Sequence, residues 1–542
     1  MLDAGRGGVK ARSRGRSPRT AFRFSRGQKL PTTHLNRGLR GALAGGNGFA
    51  GLLGAEVRWT IGFLPTAMNF KVLLAVLSVG LPLSAQTSKP EVFQRIDASK
   101  AVYDDIALKL WSYSEIGYKE TRSAALLQDR LRQEGFVVQA GVAGIPTAFT
   151  ASYGSGSPVI VIMGEYDALP GVSQEAVPEK QPRPGVNAGH ACGHHLFGAG
   201  SAQAVVAVKD WLKASGRSGT IRFYGTPAEE GGSGKVYMVR AGLFDDVDVA
   251  FHWHPADRNN VSMAKSLANK SGKFRFTGVA SHAASSPERG RSALDGIEAM
   301  NHMANLMREH VPDTTRIHYV ITKGGDAPNV VPAFAESYYY VRSPNRDVVR
   351  EVWERIEKAA KGAALGTGTT VEWEVTGGVY DLLPNEVLGR TMHENLQIVG
   401  GVTYNDEEKV FAQQISRTLM GVALAPETAS LIPPFNPNPP NGGASTDVAD
   451  VSWVVPTMGV RTATWAPGTP AHSWQAVACG GTTMGLKGMN VAVKTLAGAA
   501  IDLYLKPDVI ARAKAELAER RGAGFKYEAL VGDRPPALNY RD

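Results

Sequence analysis

Residues 159–163 read Val-Ile-Val-Ile-Met, an uninterrupted apolar run that is typical of a β-strand covered on both faces. Shorter runs of the same kind occur at 221–224 and 247–251, and apolar residues at helical spacing precede them at 96–110 and 121–135. Strands that alternate with helices in this way favour a buried, mainly parallel sheet. The sequence therefore predicts an α/β domain with a mainly parallel sheet.

The pattern changes to a β-α-β-β-α-β order between residues 268 and 376. Strands are predicted at 273–276, 317–322, 336–341 and 370–375, and helices at 292–308 and 347–364. This order is typical of a ferredoxin-like α+β module. We therefore expect a larger α/β domain in two parts with this module inserted between them. The expected boundaries are 90–267 and 377–510 for the two parts, 268–376 for the insertion, and 511–542 for a C-terminal helix and tail.

The net charge of the chain is concentrated at its start. The 542 residues carry a formal charge of +9, with 43% hydrophobic and 20% charged residues, which excludes a wholly disordered protein. Residues 1–67 contain 12 Lys or Arg and two acids, so the rest of the chain carries a net charge of −1. A function in nucleic-acid binding, argued from overall charge, is therefore excluded. Residues 1–67 are expected to be a disordered basic leader outside the mature protein; a basic targeting arm is the alternative.

Residues 68–85 have the pattern of a secretory signal peptide. A lysine at 71 precedes a mostly apolar run at 72–83, and small residues follow at 84–85. The apolar run is shorter than the roughly 20 residues of a membrane-spanning helix, so no stable membrane anchor is expected. We expect translation to begin at Met68, cleavage after Ala85 and a periplasmic or secreted protein, with a cytoplasmic location as the alternative.

Four clusters of chemically active side chains follow, or lie close to, predicted strands. They are HACGHH at 190–195, PAEEGG at 227–232, HWH at 252–254 and GTPAHS at 468–473. Each cluster alone also fits a structural turn or a buried histidine. Thiolate, imidazole and carboxylate are ligands for zinc, and imidazole with carboxylate also suits manganese, so the clusters together indicate a divalent metal site. Of two adjacent carboxylates, one can bind a metal while the other acts as a base.

At these residues the chain resembles the M20 family of metallopeptidases and amidohydrolases, and within it the branch with a Cys-x-His motif. The resemblance spans residues 90–510, with the motifs in the family's order. The supporting stretches are YDALP at 166–170, GHACGH at 189–194, EEGGSG at 229–234, FDDVD at 244–248, WHP at 253–255, PNVVP at 328–332, STDVADVSW at 445–453 and GTPAHSW at 468–474.

The resemblance implies a site for two divalent metal ions, manganese or zinc, in each subunit. Cys192 would bridge the two ions, and Glu229 would act as general base and general acid. The remaining ligands would be Glu230 and His472 for one ion and His194 and His254 for the other.

The resemblance implies that 90–267 and 377–510 form the catalytic domain and that the insertion at 268–376 is a dimerisation (lid) domain. The inserted domain of the family supplies further groups, one of them to a neighbouring subunit. His282 matches the histidine that crosses to the neighbour, which implies at least a homodimer and leaves room for a homologous second subunit. Asn329 and Arg342 match the residues that bind a substrate carboxylate. His195 stands where many relatives carry an acid, which leaves open what orients the preceding histidine; Asp167 is a candidate.

The resemblance implies a metal-dependent amidohydrolase that cleaves the amide bond of an N-acyl amino acid. An aroyl amino acid such as p-aminobenzoyl-glutamate is the favoured substrate. A dipeptidase, a carboxypeptidase or another N-acyl amino acid hydrolase would share the same catalytic residues. A non-catalytic periplasmic binding protein is the alternative from a different class, and the intact Glu229 and Glu230 argue against it.

Overall fold

A computed structural model describes residues 88–421 and 423–541. The predicted leader at 1–67 and the predicted signal peptide at 68–85 lie outside these residues. None of the helices in the described ranges is both long enough and apolar enough to span a bilayer.

The described residues form twelve α-helices and thirteen strands. The helices are α1 Lys89–Tyr113, α2 Thr121–Gln133, α3 His194–Ser215, α4 Gly234–Arg240, α5 Ala293–Met307, α6 Arg346–Thr367, α7 Glu386–Val399, α8 Asp406–Ser416, α9 Val448–Val454, α10 Trp474–Gly480, α11 Thr483–Leu505 and α12 Pro507–Arg521. The strands are β1 Val137–Ala140, β2 Phe149–Ser155, β3 Val159–Gly164, β4 Leu169–Pro170, β5 Ala188–Gly189, β6 Gly219–Gly225, β7 Val249–Ala256, β8 Asn260–Val261, β9 Ala268–Thr277, β10 Arg316–Lys323, β11 Phe334–Ser343, β12 Thr370–Val379 and β13 Thr457–Ala463.

A seven-stranded sheet forms the centre of the catalytic domain, in the order β1-β2-β6-β3-β7-β13-β8. The four central strands β6, β3, β7 and β13 run parallel, and the outer strands pair antiparallel. All six residues of β3 are buried, as its apolar sequence predicts. The prediction of a mainly parallel α/β sheet is confirmed.

The third predicted strand is longer than the sequence pattern suggested. Its apolar run ends at residue 251, which placed the two histidines after the strand. Strand β7 instead continues to Ala256, because its parallel ladder with β13 extends from Ala250 to Ala256. His252 and His254 therefore lie within a strand, where the backbone is fixed by hydrogen bonds on one side.

The inserted domain has the predicted β-α-β-β-α-β order, built from β9, α5, β10, β11, α6 and β12. Its antiparallel sheet has the order β10-β11-β9-β12. Helices α5 and α6 bury a separate apolar core against this sheet, which includes Phe274, Ile297 and Trp353. Each helix begins at a side-chain cap: Ser292 accepts from the N–H of Asp295, and Asn345 from that of Asp347. The ferredoxin-like prediction is confirmed.

Candidate metal and catalytic site

The candidate site lies at the carboxyl ends of the four parallel strands, where ligand sites form in α/β sheets. Consecutive strands deliver side chains to one edge because parallel strands end on the same side. Glu165 follows β3, Glu229 and Glu230 follow β6, His254 is near the end of β7, His472 follows β13, and Cys192 and His194 are at the start of α3.

The structure brings the five predicted metal ligands together as two sets that share one thiol. Cys192, His194 and His254 form the first set, and Cys192, Glu230 and His472 the second; within each set the potential ligand atoms lie within 4.8 Å of one another. His472 Nε2 is 3.1 Å from Cys192 Sγ and 3.2 Å from Glu230 Oε1. This is the grouping that the family resemblance implies, with Cys192 between two ions.

Asp167 orients His194 and joins the two sets. Its Oδ1 accepts from His194 Nδ1 at 2.9 Å, and its Oδ2 accepts from the N–H of Glu230 at 2.9 Å. The bond at Nδ1 leaves Nε2 of His194 as the ligand atom, a common arrangement at metal-binding histidines. Asp167 thus supplies the orienting carboxylate that the sequence left open.

His195 has a structural role away from the ligands. Its Nε2 donates to the carbonyl of Gly480 at 3.0 Å, and its ring packs against that of His190. Burial lowers the pKa of His195 to about 3, so the ring is neutral and ties α3 to α10.

A buried ion network supports the site from behind. Lys235 is fully buried and its Nζ contacts Glu165 Oε1 at 2.6 Å and Asp447 Oδ1 at 2.7 Å. Burial would raise the pKa of Glu165, but the charges of Lys235 and His194 outweigh it and hold that pKa well below its usual range. Glu165 therefore stays ionised next to the ligand His194.

Glu229 has the environment of a proton-transfer group. Burial, followed by the nearby carboxylates of Glu165 and Glu230, raises the pKa of Glu229 well above its usual value. Its side chain lines the same cavity as Cys192 and His254. A carboxylate with a raised pKa binds a proton more readily, which suits a general base that later returns the proton.

The residues present fit divalent cations. His194 Nε2 and Glu165 Oε2 lie 3.0 Å apart in a geometry that makes no hydrogen bond, and neither atom has another hydrogen-bond partner. Burial and the charge of Glu230 raise the pKa of the Cys192 thiol, so a thiolate there requires a compensating positive charge. A donor set of one thiol, three imidazoles and one carboxylate is suited to zinc, and its imidazole and carboxylate members also to manganese.

The site opens into a cavity of about 800 Å³ between the catalytic sheet and the inserted domain. Arg342 of β11 lines this cavity, as do its neighbours Ser271 and Tyr340. His282 and Asn329 do not line it: both are exposed on the inserted domain, where the N–H of Ala283 donates to the carbonyl of Asn329 at 3.0 Å. Of the three residues predicted to contact substrate, only Arg342 therefore lines the cavity of its own chain.

Sequence reasoning did not assign five residues that contact the site. Glu165 could have been found, because it directly follows a buried parallel strand. Asp447 lies in the stretch at 445–453 that supports the family resemblance, and Lys235 directly follows the stretch at 229–234. No local signal marked Tyr540 and Arg541, whose side chains contact the carbonyl oxygen of Glu230.

Comparisons with known proteins identify the family. Residues 268–367 match the peptidase dimerisation domain of M20 enzymes. The chain is 41% identical over 447 residues to the B subunit of p-aminobenzoyl-glutamate hydrolase from Escherichia coli, an alignment that covers 78% of this chain and 93% of that protein. The chain belongs to the M20 family. It is a metal-dependent hydrolase of amide bonds, as the sequence predicted.

Two further similarities agree with this assignment. Human Xaa-Arg dipeptidase is 30% identical over 437 residues, covering 77% of this chain and 88% of the dipeptidase. A dinuclear metal-binding peptidase of the M20 family from Bacillus subtilis has the same fold, with a TM-score of 0.52, 17% identity and coverage of 76% of this chain and 99% of that one.

Proposed function

We propose that this M20 enzyme uses two divalent metal ions, manganese or zinc, to hydrolyse N-acyl amino acids, with p-aminobenzoyl-glutamate as its substrate. The observation that carries the proposal is the pair of ligand sets that share Cys192, placed next to Glu229. The similarity to one component of a p-aminobenzoyl-glutamate hydrolase supports the choice of substrate.

Bound at these ligands, the ions would supply Lewis-acid activation of a water molecule and of the scissile carbonyl. Glu229 takes the proton from the water as its oxygen attacks the amide carbon. Glu229 then donates this proton to the leaving nitrogen, so that the amide C–N bond breaks and the free amino acid departs. Arg342 binds the carboxylate of that amino acid and holds the amide bond in place.

His282 completes the site from a second copy of the chain. Its Nδ1 accepts from the N–H groups of Ala284 and Ser285, so Nε2 is the nitrogen left to bond a substrate oxygen. Because His282 and Asn329 lie outside their own cavity, we propose a homodimer in which they reach the partner's site. A homologous second subunit is the alternative, since the Escherichia coli hydrolase has an A and a B component and the chain is similar to both.

A dipeptidase acting on Xaa-Arg substrates is the second candidate, on the basis of the similarity to the human enzyme. The charge of the cavity argues against it. Arg342, Arg461, Lys265 and Arg541 all line the cavity. A fifth cation, Arg258, is paired with Asp257, and the other carboxylates of the cavity lining belong to the candidate metal site or to the buried network with Lys235. The four remaining cations therefore favour an acidic leaving amino acid over arginine.

The test is metal-dependent hydrolysis by the chelator-stripped protein. We expect release of p-aminobenzoate from p-aminobenzoyl-glutamate after addition of Mn²⁺ or Zn²⁺, with two ions bound per subunit. Cys192→Ser should lower the bound metal, whereas Cys479→Ser, at the buried cysteine outside the ligand sets, should not. Hydrolysis of Xaa-Arg dipeptides without hydrolysis of the aminobenzoyl compound would favour the second candidate.

We also propose that the protein is exported, because residues 68–85 have the pattern of a signal peptide. Mass spectrometry of the native protein should find an amino terminus at Gln86. A peptide from residues 1–67 in the native protein would contradict this proposal.

A further inference from the structure

The segment at 522–541 leads from helix α12 to the active site. It follows the junction between the two domains: Arg534 Nη2 contacts Glu374 Oε1 of β12 at 3.0 Å, and Arg240 Nη1 donates to the carbonyl of Gly532 at 2.7 Å. These contacts hold the segment in place before it reaches the site. Its last two described residues, Tyr540 and Arg541, are therefore positioned by tertiary contacts on both domains.

Arg541 reaches the site at the backbone of a predicted metal ligand. Its Nη2 and the Tyr540 hydroxyl both donate to the carbonyl oxygen of Glu230, the latter at 3.1 Å. The Nε of Arg541 is buried without a hydrogen-bond partner, although the side chain lines the substrate cavity. A buried N–H without a partner is costly, so this edge of the guanidinium is suited to a ligand.

A series of close approaches through Gly231 and Gly377 connects the surroundings of Arg541 with the strand that carries Arg342. Gly231 lies close to Arg541, because a Cβ atom built on Gly231 would be 3.8 Å from Arg541 Nη2. Gly377 lies close to both Gly231 and Ser271, because a Cβ atom built on Gly377 would be 3.9 Å from the carbonyl oxygen of Gly231 and 3.1 Å from Ser271 Oγ. Ser271 pairs with Tyr340 across β9 and β11, two positions from Arg342.

Arg342 shares a further property with Arg541. Its Nε is likewise buried without a hydrogen-bond partner. Both guanidinium groups line the cavity, and the Nε of each has no hydrogen-bond partner.

The other cations that line the cavity have different surroundings. Arg258 contacts Asp257 at 2.8 Å, and Lys265 lies before β9, where its carbonyl accepts from the N–H of Gly442 at 2.8 Å. Arg461 lies on β13 beside His254, on the side of the catalytic sheet. Of the described arginines that line the cavity, Arg541 shares with Arg342 a buried Nε that has no hydrogen-bond partner.

We propose that Arg541 binds the side-chain carboxylate of an acidic amino acid on the leaving side of the amide, while Arg342 binds its α-carboxylate. This inference rests on the proposed function and narrows its substrate class to N-acyl glutamate or aspartate. A guanidinium binds a carboxylate through two parallel hydrogen bonds, one of which can come from Nε. Arg541 is thus a specificity-determining residue supplied by the segment at 522–541.

The test compares substrates that differ only in that carboxylate. We would measure kcat/KM for p-aminobenzoyl-glutamate and p-aminobenzoyl-glutamine with wild type, Arg541→Gln, Arg541→Lys and the control Arg512→Gln, which removes an exposed arginine of α12. The preference for glutamate should fall by about 10- to 100-fold in Arg541→Gln, as expected for loss of a charged hydrogen-bond pair. Arg541→Lys should retain part of the preference, and Arg512→Gln all of it.

A purely structural role would lower both activities equally and leave the preference as in wild type, which would overturn the inference. Binding of L-glutamate and L-glutamine, measured by calorimetry, separates this inference from the proposed substrate. Wild type could fail to cleave the aminobenzoyl compounds and still bind glutamate more tightly than glutamine. If Arg541→Gln then loses this binding preference, the substrate proposal fails and the inference stands. A wild-type protein with no preference for glutamate would overturn the inference.

Discussion

The metal-ligand cluster and the exposed edge of the inserted domain, which carries His282 and Asn329, differ in whether their predicted functional residues lie at the cavity of their own chain. The cluster lies at the ends of four parallel strands, and buried contacts such as that of Asp167 with His194 hold its ligands, except for the exposed His472. His282 and Asn329 are equally prominent in sequence but are exposed and outside the cavity. A single chain therefore places the candidate metal ligands and the candidate proton-transfer group around one cavity, whereas two of the three residues predicted to contact substrate lie outside that cavity.

The largest effect is expected at the group that transfers the proton. Glu229→Gln should lower kcat by about 10³- to 10⁴-fold, because an amide cannot accept the proton of the attacking water. Metal content, measured by mass spectrometry, should remain close to that of wild type. Glu229 belongs to neither of the two sets that share Cys192, and in its own group with Glu165 and His194 a glutamine keeps one carbonyl oxygen. Glu519→Gln, at an exposed position of α12, is the matched control. Turnover above a tenth of wild type would remove Glu229 from this role.

A smaller loss of activity is expected for a substitution in the inserted domain, and mixing with a second variant should restore part of that activity. His282→Ala should lower kcat by about 10²-fold, as for loss of one oxyanion donor, whereas His310→Ala should not. Mixing His282→Ala with Glu229→Gln under conditions of subunit exchange should restore about a quarter of wild-type activity, because a two-fold dimer then contains one intact site in half of the molecules. If the mixture stays inactive, His282 does not act across an interface.

Substitution of Lys235 tests whether the buried ion network behind the metal-ligand cluster stabilises the fold. Lys235→Met removes the cation between Glu165 and Asp447 and should lower the free energy of unfolding by about 3 kcal/mol, because two carboxylates lose their partner. Urea unfolding of the chelator-treated protein measures this change. Lys358→Met, at an exposed position of α6, should change it little. Equal stability of the two variants would mean that the network contributes nothing to folding.

The smallest effect is a pH dependence of the free energy of unfolding, which we expect from Asp450 at the junction of the catalytic and inserted domains. Burial raises the pKa of Asp450 to about 7, and the carboxyl accepts from the N–H of Tyr380 and the hydroxyl of Tyr527. An acid whose pKa is raised on folding stabilises the protein at low pH and loses this contribution as the pH rises through its folded pKa. From pH 6 to 8 the free energy of unfolding should fall by about 1 kcal/mol from this group. Asp450→Asn should remove that part of the slope; an unchanged slope would contradict the assignment.

Sequence patterns predicted the fold because its signals are local. The apolar run at 159–163 and the β-α-β-β-α-β order describe strands and helices whose neighbours are fixed by connection rules. The end of β7 was the exception, because its histidines are held in the strand by pairing with β13, some 200 residues away. Cys192 and His194 were found because two ligands occur in one short motif.

The remaining site residues could not be found in this way. Lys235, Glu165 and Asp447 come from three distant segments, and their pairing exists only after the sheet has formed. Arg541 is more than 300 residues from Glu230, whose carbonyl it contacts. No periodicity or spacing links residues so far apart in the chain.

The sequence by itself determined the family and the α/β architecture and predicted which side chains bind metal and transfer the proton, because these depend on short motifs and on the order of elements. Only the tertiary structure decided which of them meet. It placed Cys192 in two ligand sets, left His282 outside its own cavity, and brought Arg541 and Arg342 to the same cavity. The physical reason is that the packing of distant segments sets distance, burial and charge at a site.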